Sequence, residues 1–179
     1  MNAPQAASES NARLQRLLGF LEHDPGNLPL IADAAGAALD EGQLPTASQL
    51  IARYENLAAL PGPLQNLKGL VAIGRQEFAQ AAAIFEPLAA ERPGDTTLRF
   101  NLAWTRAMTA NYAGALELLD EPTAASSAPA AALKIQMLHH LGQIDEALAC
   151  GEVLAALYPN DAACFQLTCF LIVGDVVST

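Results

Sequence analysis

Cations are scarce in this chain. Its 179 residues hold nine Lys and Arg against 19 Asp and Glu, giving a formal net charge of −10 and an isoelectric point near 4.5. Phosphate backbones and anionic lipid surfaces are gripped by clusters of Lys and Arg, and the sequence has no such cluster. Nucleic acid and membrane are therefore not expected as partners; a basic or apolar protein segment suits this charge better. Long apolar runs are missing too. None reaches the roughly 18 residues that suggest a membrane span, and the opening MNAPQAASESNAR has neither the basic nor the apolar region of a secretory signal. Cysteine is limited to Cys150, Cys164 and Cys169, odd in number and without C-x-x-C spacing. These read as free thiols that pack as small hydrophobes in a reducing compartment, so the expected location is cytoplasmic. Aromatic residues make up 6% of the chain, and Trp104 is the single tryptophan.

Signatures of catalysis are missing as well. The sequence contains no G-x-S-x-G, H-E-x-x-H, Walker or G-x-G-x-x-G motif. His139 and His140 are adjacent, and a helix sets neighbouring residues about 100° apart, whereas a shared metal needs ligands three or four residues apart. Asp120-Glu121 and Asp145-Glu146 are likewise splayed pairs and read as solvated or helix-end charge. The chain is not expected to be an enzyme, and no cofactor or metal is expected.

What the sequence has in quantity is apolar residues, 52% of the total, set out at a fixed interval. Ala47, Ala81 and Ala115 lie 34 residues apart, and Ala147 comes 32 later. Pro25, Pro93 and Pro159 are separated by 68 and 66 residues, and glycines mark corresponding turns at Gly42, Gly74, Gly142 and Gly174. A period of this length belongs to stacked helical hairpins. Leu14, Leu17, Leu18 and Leu21 give the buried stripe of a first, unpaired helix that must end near Pro25. Hairpins are then expected over about 28–61, 62–95, 96–129 and 130–161, with a partial fifth over 162–179 and a flexible leader over 1–10. Two irregularities are expected: a kink at Pro87 inside a helix, and a linker without regular structure from Pro122 to Pro129. Ala162–Val173 reads apolar nearly all round, as a helix covered on more than one side does. Its Phe165, Phe170 and Ile172 are a candidate association surface, through a homo-oligomer or a continuation of the repeat array.

The repeat with Ala81, Phe85 and Pro93 carries the A-x3-F…P core of one family, and Asn111-Tyr112-Ala113-Gly114-Ala115 and Gly142-Gln-Ile-Asp-Glu-Ala147 repeat its turn. On these residues the chain resembles the tetratricopeptide repeat (TPR) proteins over roughly 11–175, although Trp at the fourth and Tyr at the eleventh repeat position are lacking in every unit. HEAT-type hairpins have a longer period, about 40–47 residues. The resemblance implies an all-α fold, a right-handed superhelix of about ten helices forming one continuous domain. It also implies a function: a protein–protein interaction scaffold or adaptor that binds a peptide or short helix in its concave groove. A secretion- or pilus-assembly chaperone is the alternative, as is structural self-association through the C-terminal apolar helix.

In that family the first helix of each hairpin lines the groove, with ligand contacts from the second, fifth, ninth, twelfth and thirteenth positions. Transferred by register, these are Ala32, Gly36, Leu39 and Asp40 in the first hairpin, and Asn66, Leu70 and Ile73 in the second. The third supplies Phe100, Trp104, Ala107 and Met108, and the fourth Ala132, Gln136, His139 and His140. Ala32 and Gly36 stand where chaperone-binding members place the Lys and Asn of a carboxylate clamp, so no clamp is expected. An aromatic cluster of Phe100, Trp104 and Met108 beside Gln136 and two imidazoles has the composition of a peptide-binding hot spot; burial of both aromatics in the core is the competing reading.

Overall fold

The computed structural model describes residues 3–157, and side chains from residue 12 onward. Among the described residues all regular structure is helical. The elements are α1 (Ala3–His23), α2 (Leu28–Asp40), α3 (Leu44–Glu55), α4 (Gly62–Gly74) and α5 (Phe78–Glu91), then α6 (Thr96–Met108), α7 (Tyr112–Leu118), α8 (Glu121–Ala125), α9 (Ala128–His140) and α10 (Ile144–Leu157). The backbone gathers into two compact units, Met1–Ile84 and Phe85–Thr179, with the division falling inside α5. In the first, α1 packs on α2, α2 on α3, and α4 on both α2 and α3. In the second, α6 packs on α7, α8 and α9, and α9 also on α7, α8 and α10.

The period read from the sequence reappears as identical local bonding. Ala47, Ala81, Ala115 and Ala147 are all completely buried, and each donates its N–H to the carbonyl four residues back, at 3.0 Å in every case. A methyl group lets two helices approach towards the short end of the usual range of about 8–10 Å, which is why alanine recurs there. The turn before each of these alanines is also the same. Gln43, Glu77, Asn111 and Gln143 donate back to the carbonyls of Ala38, Ala72, Arg106 and Leu138 at 2.8–2.9 Å. The preceding residues Gly42, Gln76, Ala110 and Gly142 have φ between 60° and 75°. This is the Schellman closure, in which one left-handed residue lets the chain satisfy the last carbonyls of a helix and reverse. Helix starts keep the register too: Asn27, Asp95 and Ser127 cap α2, α6 and α9 by accepting N–H bonds through their side chains, and Pro61 occupies the corresponding place before α4.

The repeat has exceptions. Gly74 is not a turn residue: it ends α4, and a Cβ there would lie 2.9 Å from Leu44. The left-handed position falls two residues later, on Gln76. The stretch expected as an irregular linker contains a helix, α8, because Asp120 accepts the Thr123 N–H at 3.2 Å and Pro122 fits a first helical turn. One side chain fastens this break. Arg99 of α6 donates from Nε to Thr123 Oγ1 at 3.0 Å and from its terminal nitrogen to the Leu118 carbonyl at 3.1 Å, and pairs with Asp120 at 2.8 Å. The guanidinium thus satisfies the end of α7 and the start of α8 together. Hydrogen bonding from the Thr123 side chain holds the Asp120 carboxyl below its usual range; the Thr123 N–H, Arg99 and Lys134 add to this, and partial burial opposes it. α5 continues through Pro87.

Candidate functional site

In the second unit, Ala103, Ala107, Ala115, Leu119, Leu133 and Met137 form a buried cluster shared by α6, α7 and α9. Phe100, Trp104 and Tyr112 lie partly over it. Phe100 and Trp104 are one helical turn apart on α6, with ring centroids 6.5 Å apart and planes tilted by 46°. Each is half-buried, one side against the alanine-rich cluster and the other towards solvent. Ala103 and Ala107 on the same helix are buried within the cluster, while the two larger rings pack partly against it. Met108 continues the row another turn and is 44% exposed. Ala107, also transferred to the groove by register, is buried and offers little accessible surface.

α9 presents Gln136, His139 and His140, all exposed. The His140 ring stacks on Tyr112, with centroids 4.4 Å apart and planes 9° from parallel, and His139 meets His140 edge-on at 6.1 Å. Both imidazoles sit in the last turn of α9. Tyr112 is the residue that sequence reasoning missed. It was visible only as part of a turn, yet its ring joins the aromatic pair of α6 to the imidazoles of α9 through one shared cluster. Asn66 and Leu70 lie on α4 in the first unit, one turn apart and half-buried. Phe165, Phe170 and Ile172, with the rest of the apolar segment, lie outside the described residues.

The cations of the second unit are mostly committed to internal partners. Arg92 pairs with Asp95 at 3.7 Å and Arg99 with Asp120. Arg106 donates to the Gly114 carbonyl at 3.0 Å and lies 3.7 Å from Glu86. Their work is to fasten helix ends, which leaves the open face of α6 and α9 to aromatic, imidazole and amide groups. Among the described residues no group of three His, Cys, Asp or Glu is placed to hold a metal ion. None of the described helices is long and apolar enough to cross a membrane.

No family model matches this chain, and no curated protein matches it in sequence. Solved structures do match in fold. A structure of MamA (AMB-1) shares 18% identity and a TM-score of 0.66, covering 79% of this chain and 84% of its own. A tetratricopeptide repeat protein from Parabacteroides merdae shares 14% identity and a TM-score of 0.71, over 94% of this chain and 66% of that one. An APC/C hetero-tetramer of Cut9 and Hcn1 matches over 92% of this chain with 15% identity and a TM-score of 0.79; the match spans 33% of that much longer chain. Taken with the recurring buried alanines and turns, these likenesses establish that the chain has the all-α fold of the tetratricopeptide repeat proteins, built from antiparallel helix hairpins.

Proposed function

We propose that the protein is a non-catalytic interaction scaffold that holds an extended peptide or short helix of a partner protein against the first helices of its hairpins, on the concave side that such a fold provides. The observation that carries this reading is the row Phe100, Trp104 and Met108 on α6, which a core helix would bury and which here keeps one side open. Large, rigid side chains in such a position supply most of the affinity at protein interfaces. Gln136, His139 and His140 supply directional hydrogen bonds beside them; in the first unit, α4 offers the amide of Asn66 and the apolar side chain of Leu70. The net charge of −10 favours a basic or apolar segment as ligand. Cut9, one of the proteins of similar fold, was solved as a hetero-tetramer with Hcn1, which supports partner binding as the use of this fold.

Trp104 is the only tryptophan, so its fluorescence reports the site directly. A partner captured from native lysate should shift the Trp104 emission on titration. Phe100→Ala and Trp104→Ala should each weaken that partner about tenfold or more, the loss of about 1.4 kcal/mol or more typical of a hot-spot anchor. Unchanged affinity in both variants would show that the groove is not the site.

A further inference from the structure

A second surface of the Phe85–Thr179 unit is left open by the break in the third hairpin. α7 has seven residues against 14 in α10, and the chain then turns into the five-residue α8. Between α8, α9 and α10 lies a cleft of about 220 Å³, walled by alanines of α8 and α9 on one side and by Ala149, Cys150, Val153 and Leu157 of α10 on the other. Ala149, Val153 and Leu157 fall at i, i+4 and i+8, a single row along the helix. Val153 and Leu157 are 57% and 58% exposed, above Met108 at 44% in the same unit. Counted from the marker alanines, the same row holds Gln49 and Arg53 on α3 with Leu57 just beyond its end, and Ala83, Pro87 and Glu91 on α5. Only on α10 is it apolar throughout.

The charges around this row select its occupant. α10 carries Asp145, Glu146 and Glu152, all exposed, and no Lys or Arg. Glu121 lines the cleft from α8, and the one cation in the lining, Lys134, is near enough to Asp120 to act on its carboxyl. A second copy of this chain laid on the row would bring two acidic α10 helices together, which charge opposes.

We propose that this cleft docks an amphipathic α-helix of a partner protein, apolar on one side and edged with Lys or Arg. The site is separate from the Phe100–Trp104 row and does not depend on the function assigned to that row. The partner lies along α10, whose 14 residues span about 21 Å. It sets apolar side chains between Ala149, Val153 and Leu157 and its cations opposite Glu121 and Glu152, a helix-in-groove mode. Cys150 is the built-in reporter, because a docked helix covers its thiol.

The probe is a fluorescent 14-residue Leu–Lys peptide designed as an amphipathic helix, titrated into the full chain, with its Leu–Glu counterpart as control. The Leu–Lys peptide should bind and the Leu–Glu peptide should not. In a Trp104→Ala background, which removes the anchor of the other row, Val153→Lys and Leu157→Lys, at exposed positions where the fold tolerates them, should each weaken binding tenfold or more. In a Cys164→Ser, Cys169→Ser background, saturating peptide should slow maleimide labelling of Cys150. Equal binding of both peptides, binding indifferent to Leu157→Lys, or unprotected Cys150 would overturn the proposal. A wild-type dimer that Leu157→Lys dissociates in sedimentation would overturn it in favour of a second copy. Peptide binding that appears only after removal of residues 158–179 would overturn it in favour of the chain's own tail.

Discussion

α7 of the third hairpin and α10 of the fourth leave the same turn. Ala115 and Ala147 bond back to Asn111 and Gln143 at 3.0 Å, and both methyl groups are fully buried. α10 nevertheless runs for 14 residues and α7 for seven. The difference lies in the residues beyond the shared start. At 120–123 the chain offers an Asp that caps, a Pro with no N–H to donate, and a Thr whose hydroxyl faces Arg99. Local polar chemistry there outcompetes continuation of the helix. The repeat thus fixes where two helices must cross, and a few residues with directional bonds decide how far each helix extends beyond the crossing.

If the crossing is common to both hairpins, equal insult should give equal damage. Ala115→Leu and Ala147→Leu each force three extra carbons into a closed contact, and each should cost about 3 kcal/mol by overpacking. Urea unfolding of the two variants tests this. A loss at one site and none at the other would mean that only one of the two alanines sits at a true crossing.

Among the described hairpins the break falls in the third, and the position one repeat after Arg99 holds an apolar residue, Leu133 or Ala131 by the two spacings. Arg99→Met removes the donor to the Leu118 carbonyl and to the buried Thr123 hydroxyl, and should cost about 2 kcal/mol for acceptors left without a charged partner. Asp120 gives the same region an acid dependence. Its carboxyl is held below the usual range by Thr123 first and by Arg99 after it, so the folded form favours the charged state. That contribution is complete above the ordinary carboxylate pKa and is lost as pH falls through the lowered one. The stability gap between the wild type and Asp120→Asn should accordingly be widest near neutral pH and close on acidification below about 4. A gap that stays constant down to pH 3 would separate Asp120 from the network.

The same contrast explains which features could be read without coordinates. Crossings and turns recur, so the marker alanines and prolines gave the hairpins and their order. Periodicity carries no information about Arg99, whose partners lie 19 and 24 residues away along the chain. The stretch Pro122–Pro129 reads as a linker because its Pro and Ser residues are turn formers as well as residues of helix caps and first turns. On the candidate groove, the placement of Phe100 and Trp104 on one face of α6 came from the register, whereas the stack of Tyr112 on His140 did not. That stack joins residues of two hairpins across the one interval of 32 rather than 34 residues, where counting loses its footing. Glycine alone also misplaces one turn: Gly74 is two residues early, and Gln76 takes the left-handed position.

The third and fourth hairpins differ by a smaller energy at this same left-handed position. At the residue that reverses the chain, the third has Ala110 at φ 60° and the fourth has Gly142 at φ 75°. A Cβ is disfavoured there by about 1–2 kcal/mol, and a glycine gives back part of that through the greater freedom of its unfolded chain. Exchanging the residues should therefore move the two hairpins in opposite directions. Ala110→Gly should raise stability by about 0.5 kcal/mol and Gly142→Ala should lower it by about 1 kcal/mol. A Cβ on Gly142 finds no atom within 4 Å, so crowding adds nothing to the effect at that turn. Conformation alone is then under test. Paired chemical denaturation of the single variants measures it, and a shift of the same sign in both would mean that the two turns, despite matching bonds, are closed by different forces.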